Sequence, residues 1–232
     1  MPSPDKHRIA VVIPCYNAGA LCQPVFEAAR TVGALVIGID DGSTDDTAQE
    51  LASAGITVLT HPRNQGKGAA LRTGFHWLLQ QEGWEVCATL DADGQHDPTT
   101  LPQIAAPVLQ GATDLAIGTR QFDRATMPFS RWIANTLSSF LISKLMHASI
   151  QDIQCGYRVY SRRLLQQITP PLQSTGFEIE TEMLLLALKH RARIAQLPIP
   201  SVYQESSSQV SSWRALRDSA RIARTVYRLW NS

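Results

Sequence analysis

The stretch Val86-Cys87-Ala88-Thr89-Leu90-Asp91-Ala92-Asp93-Gly94-Gln95-His96 carries a mostly apolar run into two carboxylates one residue apart. A short apolar run that ends on turn-forming residues reads as a buried strand, which puts the polar cluster at its carboxyl end. Adjacent carboxylates repel each other, and their pKa values rise unless a cation compensates. The motif shows no nearby basic partner, so Asp91 and Asp93 are read as holding a hard divalent cation that keeps coordination positions for phosphate oxygens and water. An EF-hand loop starting at Asp91 is excluded, because its sixth and twelfth positions would be His96 and Pro102 where Gly and Glu are needed. The competing reading is that the two Asp side chains simply cap the turn after the strand.

Upstream of this stretch, short apolar runs alternate with helical patterns. Ile9 to Ile13, Leu35 to Ile39, Ile56 to Leu59 and the run ending at Leu90 read as strands. Leu21 to Thr31, Asp45 to Ala54 and about Lys67 to Gln81 read as the helices between them. A β-α-β-α-β-α-β order predicts a parallel sheet wound in the Rossmann manner. The polar clusters Pro14-Cys15-Tyr16-Asn17, Asp40-Asp41-Gly42-Ser43 and Asp91-Ala92-Asp93 then fall at strand carboxyl ends and should converge on one crevice. The first turn lacks the G-x-G-x-x-G of nicotinamide sites. Asn64-Gln65-Gly66-Lys67-Gly68 is not a P-loop, because position 61 is His and Gly68 replaces Ser or Thr. Its glycines are read as a tight turn opening a helix, with direct substrate contact as the alternative.

The second half is less regular. Asp114 to Gly118 and Tyr157 to Tyr160 read as strands, Ser130 to Met146 and Glu178 to His190 as helices, and Gln121 to Pro128 as a loop. Pro198 and Pro200 flank an extended segment, and Glu205 to Ser212 is a Ser-rich connection. From Trp213 to Trp230 a helical wheel puts Arg214, Arg217, Arg221, Arg224 and Arg228 on one stripe. Trp213, Leu216, Ala220, Ala223, Tyr227 and Trp230 fall on another. This pattern suits either an interfacial helix on anionic lipid or a helix docked on the domain through its apolar stripe.

The 232 residues, 44% of them hydrophobic, suffice for one domain with an appended C-terminal element. The expected division is a domain over 1–204, with a first half over 1–120 and a second over 121–204, followed by the loop and helix of 205–232. A net charge of +1 gives no global sign of nucleic-acid binding. Cys15, Cys22, Cys87 and Cys155 form no C-x-x-C pair, so neither a zinc site nor a disulfide framework is indicated and a reduced, cytoplasmic setting is expected. No apolar run reaches the roughly 18 residues of a membrane span, and no signal peptide is read before His7.

With these clusters in place, the chain resembles the family-2 glycosyltransferases, in the branch of dolichol-phosphate mannosyltransferases and polyprenyl-phosphate sugar synthases. The matching residues are Val12-Ile13-Pro14-Cys15-Tyr16-Asn17, Ile39-Asp40-Asp41-Gly42-Ser43-Thr44-Asp45, Asn64-x-Gly66-x-Gly68-x-Ala70, Leu90 to His96 and Gly118-Thr119-Arg120. Further on come Asp152-Ile153-Gln154-Cys155-Gly156-Tyr157-Arg158 and Phe177-x-x-Glu180-x-Glu182. The resemblance implies a GT-A-type α/β fold with a mostly parallel central sheet flanked by helices, and a UDP- or GDP-sugar bound at the first-half crevice. It places Pro14, Tyr16, Asn17, Ile39 and Asp41 at the base and ribose, Asp91, Ala92 and Asp93 at the diphosphate, and Asp91, Asp93 and Gln95 at a Mg²⁺ or Mn²⁺ ion. Asp93, Arg120 and Arg131 take the catalytic positions, with Arg120 near the transferred sugar and phosphates and Arg131 near an acceptor phosphate. As alternatives, Arg120 would pair with Asp91 or Asp93, and Arg131 would be a solvated helix residue.

Departure of a nucleoside diphosphate develops negative charge, which a cation at Asp91 and Asp93 and the Arg120 guanidinium would stabilise. A polyprenyl phosphate acceptor is already anionic and needs no general base, whereas a hydroxyl acceptor would need one, with Asp152 or Asp123 as candidates. Two features depart from the dolichol-phosphate mannosyltransferases. Their Arg and Lys in an R-x-x-G-x-S-K lid fall near Gln204 and Val210, and a Glu two residues beyond Tyr16 is Ala18 here. GDP-mannose specificity therefore does not follow. The leading expectation is transfer to a lipid-linked acceptor, a polyprenyl phosphate, at the cytoplasmic membrane face, with a membrane surface or integral membrane protein as partner. The alternatives are a hydroxyl acceptor on a glycan, diacylglycerol or protein, and a noncatalytic nucleotide-sugar-binding protein.

Overall fold

The computed structural model describes residues 8–32, 35–120, 150–200 and 215–231, the last segment with side chains from Ala220 onward. The expected loop at 121–128, the helix at 130–146 with Arg131, the candidate base Asp123 and the Ser-rich segment 205–212 lie outside the described residues. So do Trp213, Arg214 and the two lid positions, 204 and 210.

The first half follows the alternating pattern. Strand β1 (Ile9–Cys15), helix α1 (Cys22–Val32), β2 (Leu35–Asp40), α2 (Thr47–Ser53), β3 (Thr57–Thr60), α3 (Lys67–Leu79) and β4 (Val86–Thr89) succeed one another. Helix α1 shows why: its buried residues Cys22, Val25, Phe26 and Ala29 recur at i, i+3, i+4 and i+7, one apolar stripe laid on the sheet. In β1, Ile9 to Ile13 are wholly enclosed because helices cover both faces. Each large side chain so enclosed contributes about 1.5 to 3 kcal/mol by leaving water.

After β4 come α4 (Leu101–Leu109), β5 (Leu115–Arg120), β6 (Arg158–Ser161), α5 (Arg162–Ile168), α6 (Ile179–Lys189), β7 (Ile194–Ile199) and α7 (Ala215–Trp230). Sequence reading gives no helix at α4, whose two prolines are both tolerated. Pro102 sits in the first turn, where the missing N–H has no helical partner to lose, and Pro107 stands only two residues from the helix end. Helix α5 is likewise unread. Ser161 caps it by accepting from Leu164 N at 3.2 Å.

The seven strands among the described residues join one sheet in the order β3-β2-β1-β4-β6-β5-β7. Pairing is parallel except at β6, which runs antiparallel between β4 and β5. This late strand pairs Thr89 with Arg158 and so brings the Asp152–Arg158 segment beside the end of β4.

Helix α7 docks on α6, but through a face that the wheel does not select. Ile222, Thr225 and Leu229 are buried, while Ala220, Ala223, Tyr227 and Trp230 face outward. The wheel ranks bulky aromatics above threonine, yet the contact is made by the residues that fit against α6. Arg228 pairs with Glu182 of α6, and Arg221 lies 3.9 Å from Glu178.

Candidate active site

The carboxyl ends of β1, β2, β3 and β4 lie side by side and are tied to one another by main-chain hydrogen bonds. Asp41 N donates to Cys15 O at 2.8 Å, His61 N to Asp40 O at 2.9 Å and Leu90 N to Val12 O at 3.3 Å. The three polar clusters therefore converge on one edge, where open α/β sheets bind ligands. Tyr16 is 38% exposed at this edge. Asn17 adopts φ 48° and accepts from Thr44 N at 2.9 Å, which fixes the turn after β1 against the turn after β2.

Asp41 is deeply placed. His61 Nδ1 donates to its Oδ1 at 2.6 Å, Gln65 N to the same oxygen at 2.9 Å and Gly66 N to Oδ2 at 2.7 Å. The carboxylate thus anchors the 64–66 turn, a role that its place in the sequence does not disclose. Ile39 is wholly enclosed, so its expected place at the base and ribose is not an exposed one. Pro14 is partly buried at the end of β1, and Ala92 is buried behind the carboxylate pair.

The glycines of the 64–68 turn have a packing explanation. A Cβ on Gly66 would meet Thr175 O at 2.3 Å, and one on Gly68 would meet Ser174 O at 2.6 Å. Gly68 N and Ala69 N both donate to Thr175 O, so a protein carbonyl closes the N-terminus of α3 where a P-loop would hold phosphate. The rejection of an NTPase loop stands on this geometry.

The expectation that the carboxylate pair has no nearby basic partner is corrected. Lys67 Nζ lies 2.6 Å from Asp91 Oδ1 and 2.6 Å from Glu180 Oε1. Burial works against charge on Asp91, and Lys67 overcomes it, holding the carboxyl below its ordinary range. Asp93 goes the other way. Burial and then the neighbouring Asp91 charge push it up to about 6. Gln95 N donates to Asp93 Oδ1 at 3.0 Å and orients it. His96 packs its ring 5.5 Å from that of Tyr157, and burial lowers it to about 4, which makes it a neutral wall of the site.

On the other side of β4, Arg120 at the end of β5 forms a two-pronged pair with Asp152, Nε to Oδ2 at 2.7 Å and Nη2 to Oδ1 at 2.9 Å. The alternative pairing of Arg120 with Asp91 or Asp93 is thereby corrected, and Asp152 has its carboxylate committed to a guanidinium. The Asp152–Arg158 segment is held from within by Arg158, wholly buried, whose guanidinium donates to the carbonyls of Cys155 (2.9 Å), Glu180 (2.6 Å) and Ile153. Gly156 lies against the site: a Cβ there would stand 2.7 Å from Asp91 Oδ2. Thr89 Oγ1 donates to Gly156 O at 2.7 Å and sets that approach.

Among the described residues, no three His, Cys, Asp or Glu side chains converge as a ready-made metal cage. Two acidic residues beside an open edge still suit a magnesium-like ion, which characteristically uses one or two carboxylates and takes its remaining ligands from phosphates and water. The raised Asp93 marks a cost of burial, and then of the neighbouring Asp91 charge, that such an ion would relieve.

A Rossmann-wound sheet with a carboxylate pair at the end of its fourth strand and one antiparallel strand beside it defines a GT-A-like glycosyltransferase fold. The model of glycosyl transferase family 2 matches residues 10–169, and the chain belongs to that family and is a glycosyltransferase. It is 33% identical over 229 residues to the polyprenol monophosphomannose synthase of Mycolicibacterium smegmatis, covering 91% of this chain and 83% of that one. It is 28% identical to the undecaprenyl-phosphate mannosyltransferase of Micrococcus luteus, covering 85% of each chain. Among solved structures, glucosyl-3-phosphoglycerate synthase from Mycobacterium tuberculosis, in complex with Mn²⁺, UDP and glucosyl-3-phosphoglycerate, matches with a TM-score of 0.72. It shares 20% identity and covers 96% of this chain and 80% of that one, a likeness of fold.

Proposed function

We propose that this protein transfers a sugar, with inversion, from a nucleotide-sugar to a polyprenyl phosphate. The observation that carries the reading is the convergence of Asp91 and Asp93 with the ends of β1 and β2 on one sheet edge, in a chain whose relatives include named polyprenyl-phosphate mannosyltransferases. Asp91 and Asp93, with Gln95 behind them, would hold Mg²⁺ or Mn²⁺, which when bound supplies positive charge against the leaving diphosphate. Pro14, Tyr16 and Asn17 line the base and ribose end, with the enclosed Ile39 beneath them. Asp41 serves that end by fixing the turn at 64–66.

Arg120 lies across β4 from the turn after β1 and is held in orientation by Asp152. A guanidinium fixed in this way stabilises developing phosphate charge without reorganising during the reaction. The same pair bears on the acceptor. Both Asp152 oxygens are occupied by the Arg120 guanidinium rather than turned to a hydroxyl acceptor, and a phosphate acceptor requires no base. Arg131 retains its assigned place at the acceptor phosphate as part of this proposal.

No helix among the described residues is long and apolar enough to cross a membrane. The outer face of α7 presents Tyr227 and Trp230, 72% and 58% exposed, beside the exposed Arg224. Aromatic and basic residues side by side suit the headgroup region of an anionic bilayer, which supports peripheral attachment at the cytoplasmic face. The test is to incubate labelled UDP- and GDP-sugars with polyprenyl phosphate, Mn²⁺ and the enzyme. An acid-labile phosphodiester lipid is expected; an acid-stable glycoside formed only on hydroxyl acceptors would overturn the acceptor assignment.

A further inference from the structure

Lys67 is in an unfavourable place for a lysine. It is the first residue of α3, where the helix dipole repels positive charge, and the first turn contains no acidic residue to offset it. Its side chain is only 13% exposed and its ammonium stands 5.6 Å from the centre of the Phe177 ring. What holds it there is a pair of carboxylates from opposite sides, Asp91 after β4 and Glu180 on α6, each at 2.6 Å. An ammonium at 2.6 Å from Asp91 Oδ1 and a divalent cation ligated by the same carboxylate draw on the same negative charge.

We propose that Lys67 is an internal counter-ion that competes with the divalent cation for Asp91, and that Glu180 is the second carboxylate that retains the lysine when the cation takes Asp91. The inference rests on the reading of Asp91 as a metal ligand and adds a residue that sets the metal affinity. Lys67 keeps the two acidic groups of the site from facing each other without compensation, at the cost of weaker cation binding. The nucleotide diphosphate then supplies the additional ligands that let the cation win. Metal and donor are thereby coupled, and the cation alone binds poorly.

Two variants separate this from a merely structural role. Lys67→Met removes the competing ammonium while keeping a stem of similar length. Lys67→Met/Glu180→Gln removes both charges of the buried pair together, which avoids leaving an orphaned carboxylate if the single variant fails to fold. The double variant also leaves the net charge of the Lys67, Asp91, Asp93 and Glu180 group unchanged, so a gain in affinity reports release of Asp91 rather than a stronger field. Mn²⁺ binding would be followed by the loss of the free-ion electron paramagnetic resonance signal, first without nucleotide and then with UDP, on samples whose thermal melts show them folded.

The expected result is that wild type binds Mn²⁺ weakly alone and tightly with UDP, while both variants bind Mn²⁺ alone on the order of tenfold more tightly than wild type. Equal or weaker binding of Mn²⁺ alone by the folded double variant, with wild type binding Mn²⁺ in the presence of UDP, overturns the counter-ion role and leaves the metal site standing. Absence of Mn²⁺ binding by wild type with UDP present overturns the metal-site reading and this inference with it.

Discussion

The two halves of the sheet use polar residues in opposite ways. In the first half, Tyr16, Asn17, Asp91 and Asp93 stand at strand ends and lie toward an open edge, as a ligand site requires. In the second half, Arg158, Glu180, Glu182 and Asp152 are buried and spend their hydrogen bonds on the protein itself. In the proposed function one set would meet a charged substrate, and the other holds the first in position. Asp91 shows both at once, reached by Lys67 from the first half while Gly156 of the second half packs against it.

Breaking the first set should cost activity and little stability. Asp93→Ala is expected to lower sugar transfer by about a thousandfold or more, since it removes a ligand of the cation that would stabilise the leaving diphosphate. Thermal melting should stay near wild type. A radiolabel transfer assay with a chelator control measures this, and full activity in either the variant or the chelated enzyme would sink the metal mechanism.

Breaking the second set should show the reverse. Arg158→Ala leaves the carbonyls of Cys155, Glu180 and Ile153 without their buried donor, and a loss of about 3 to 5 kcal/mol is expected in urea unfolding. A loss below about 1 kcal/mol would mean that the segment 152–158 is held by something else. Gly156→Ala tests the contact between the sets. Its Cβ would press on Asp91, so transfer should fall by about 10- to 100-fold with a stability change of about 1 to 3 kcal/mol. Unchanged kinetics would show that the close approach is incidental.

The smallest effect concerns pH. Asp93 is pushed up to about 6, whereas an unfolded carboxylate titrates near about 4. The folded protein therefore binds the proton more tightly than the unfolded chain, and stability from this group declines as pH rises between about 4 and about 6. In chelator, Asp93→Asn should melt about 2 to 4 °C above wild type at about pH 7.5 and within about a degree of it at about pH 4. Equal melting at both values would place Asp93 in an environment that does not oppose its charge.

The same contrast explains which features can be read from the sequence. Strand-end clusters are short and contiguous, and the alternation of apolar runs by itself places them on one edge. The glycosyltransferase fold and the carboxylate pair are legible for this reason. Lys67 reads only as part of a glycine turn, because both of its partners lie far along the chain. The hydrogen bonds that enclose Asp41 come from a turn whose path depends on Thr175, again distant in sequence. Helix α4 goes unread although its prolines are tolerated where they stand, and the docked face of α7 is masked by the large aromatic residues on its outer side.

The place of β6 has a consequence for how the molecule is made. It fills the gap between β4 and β5, although it is synthesised after both. Until Arg158 to Ser161 emerge from the ribosome, the wholly buried strand Val86–Thr89 has an unpaired edge on that side. Such an edge invites pairing with other chains. A nascent chain that stalls before residue 158, or a fragment cut there, would expose an adhesive strand, so the second half protects the first during its own birth as well as completing its site.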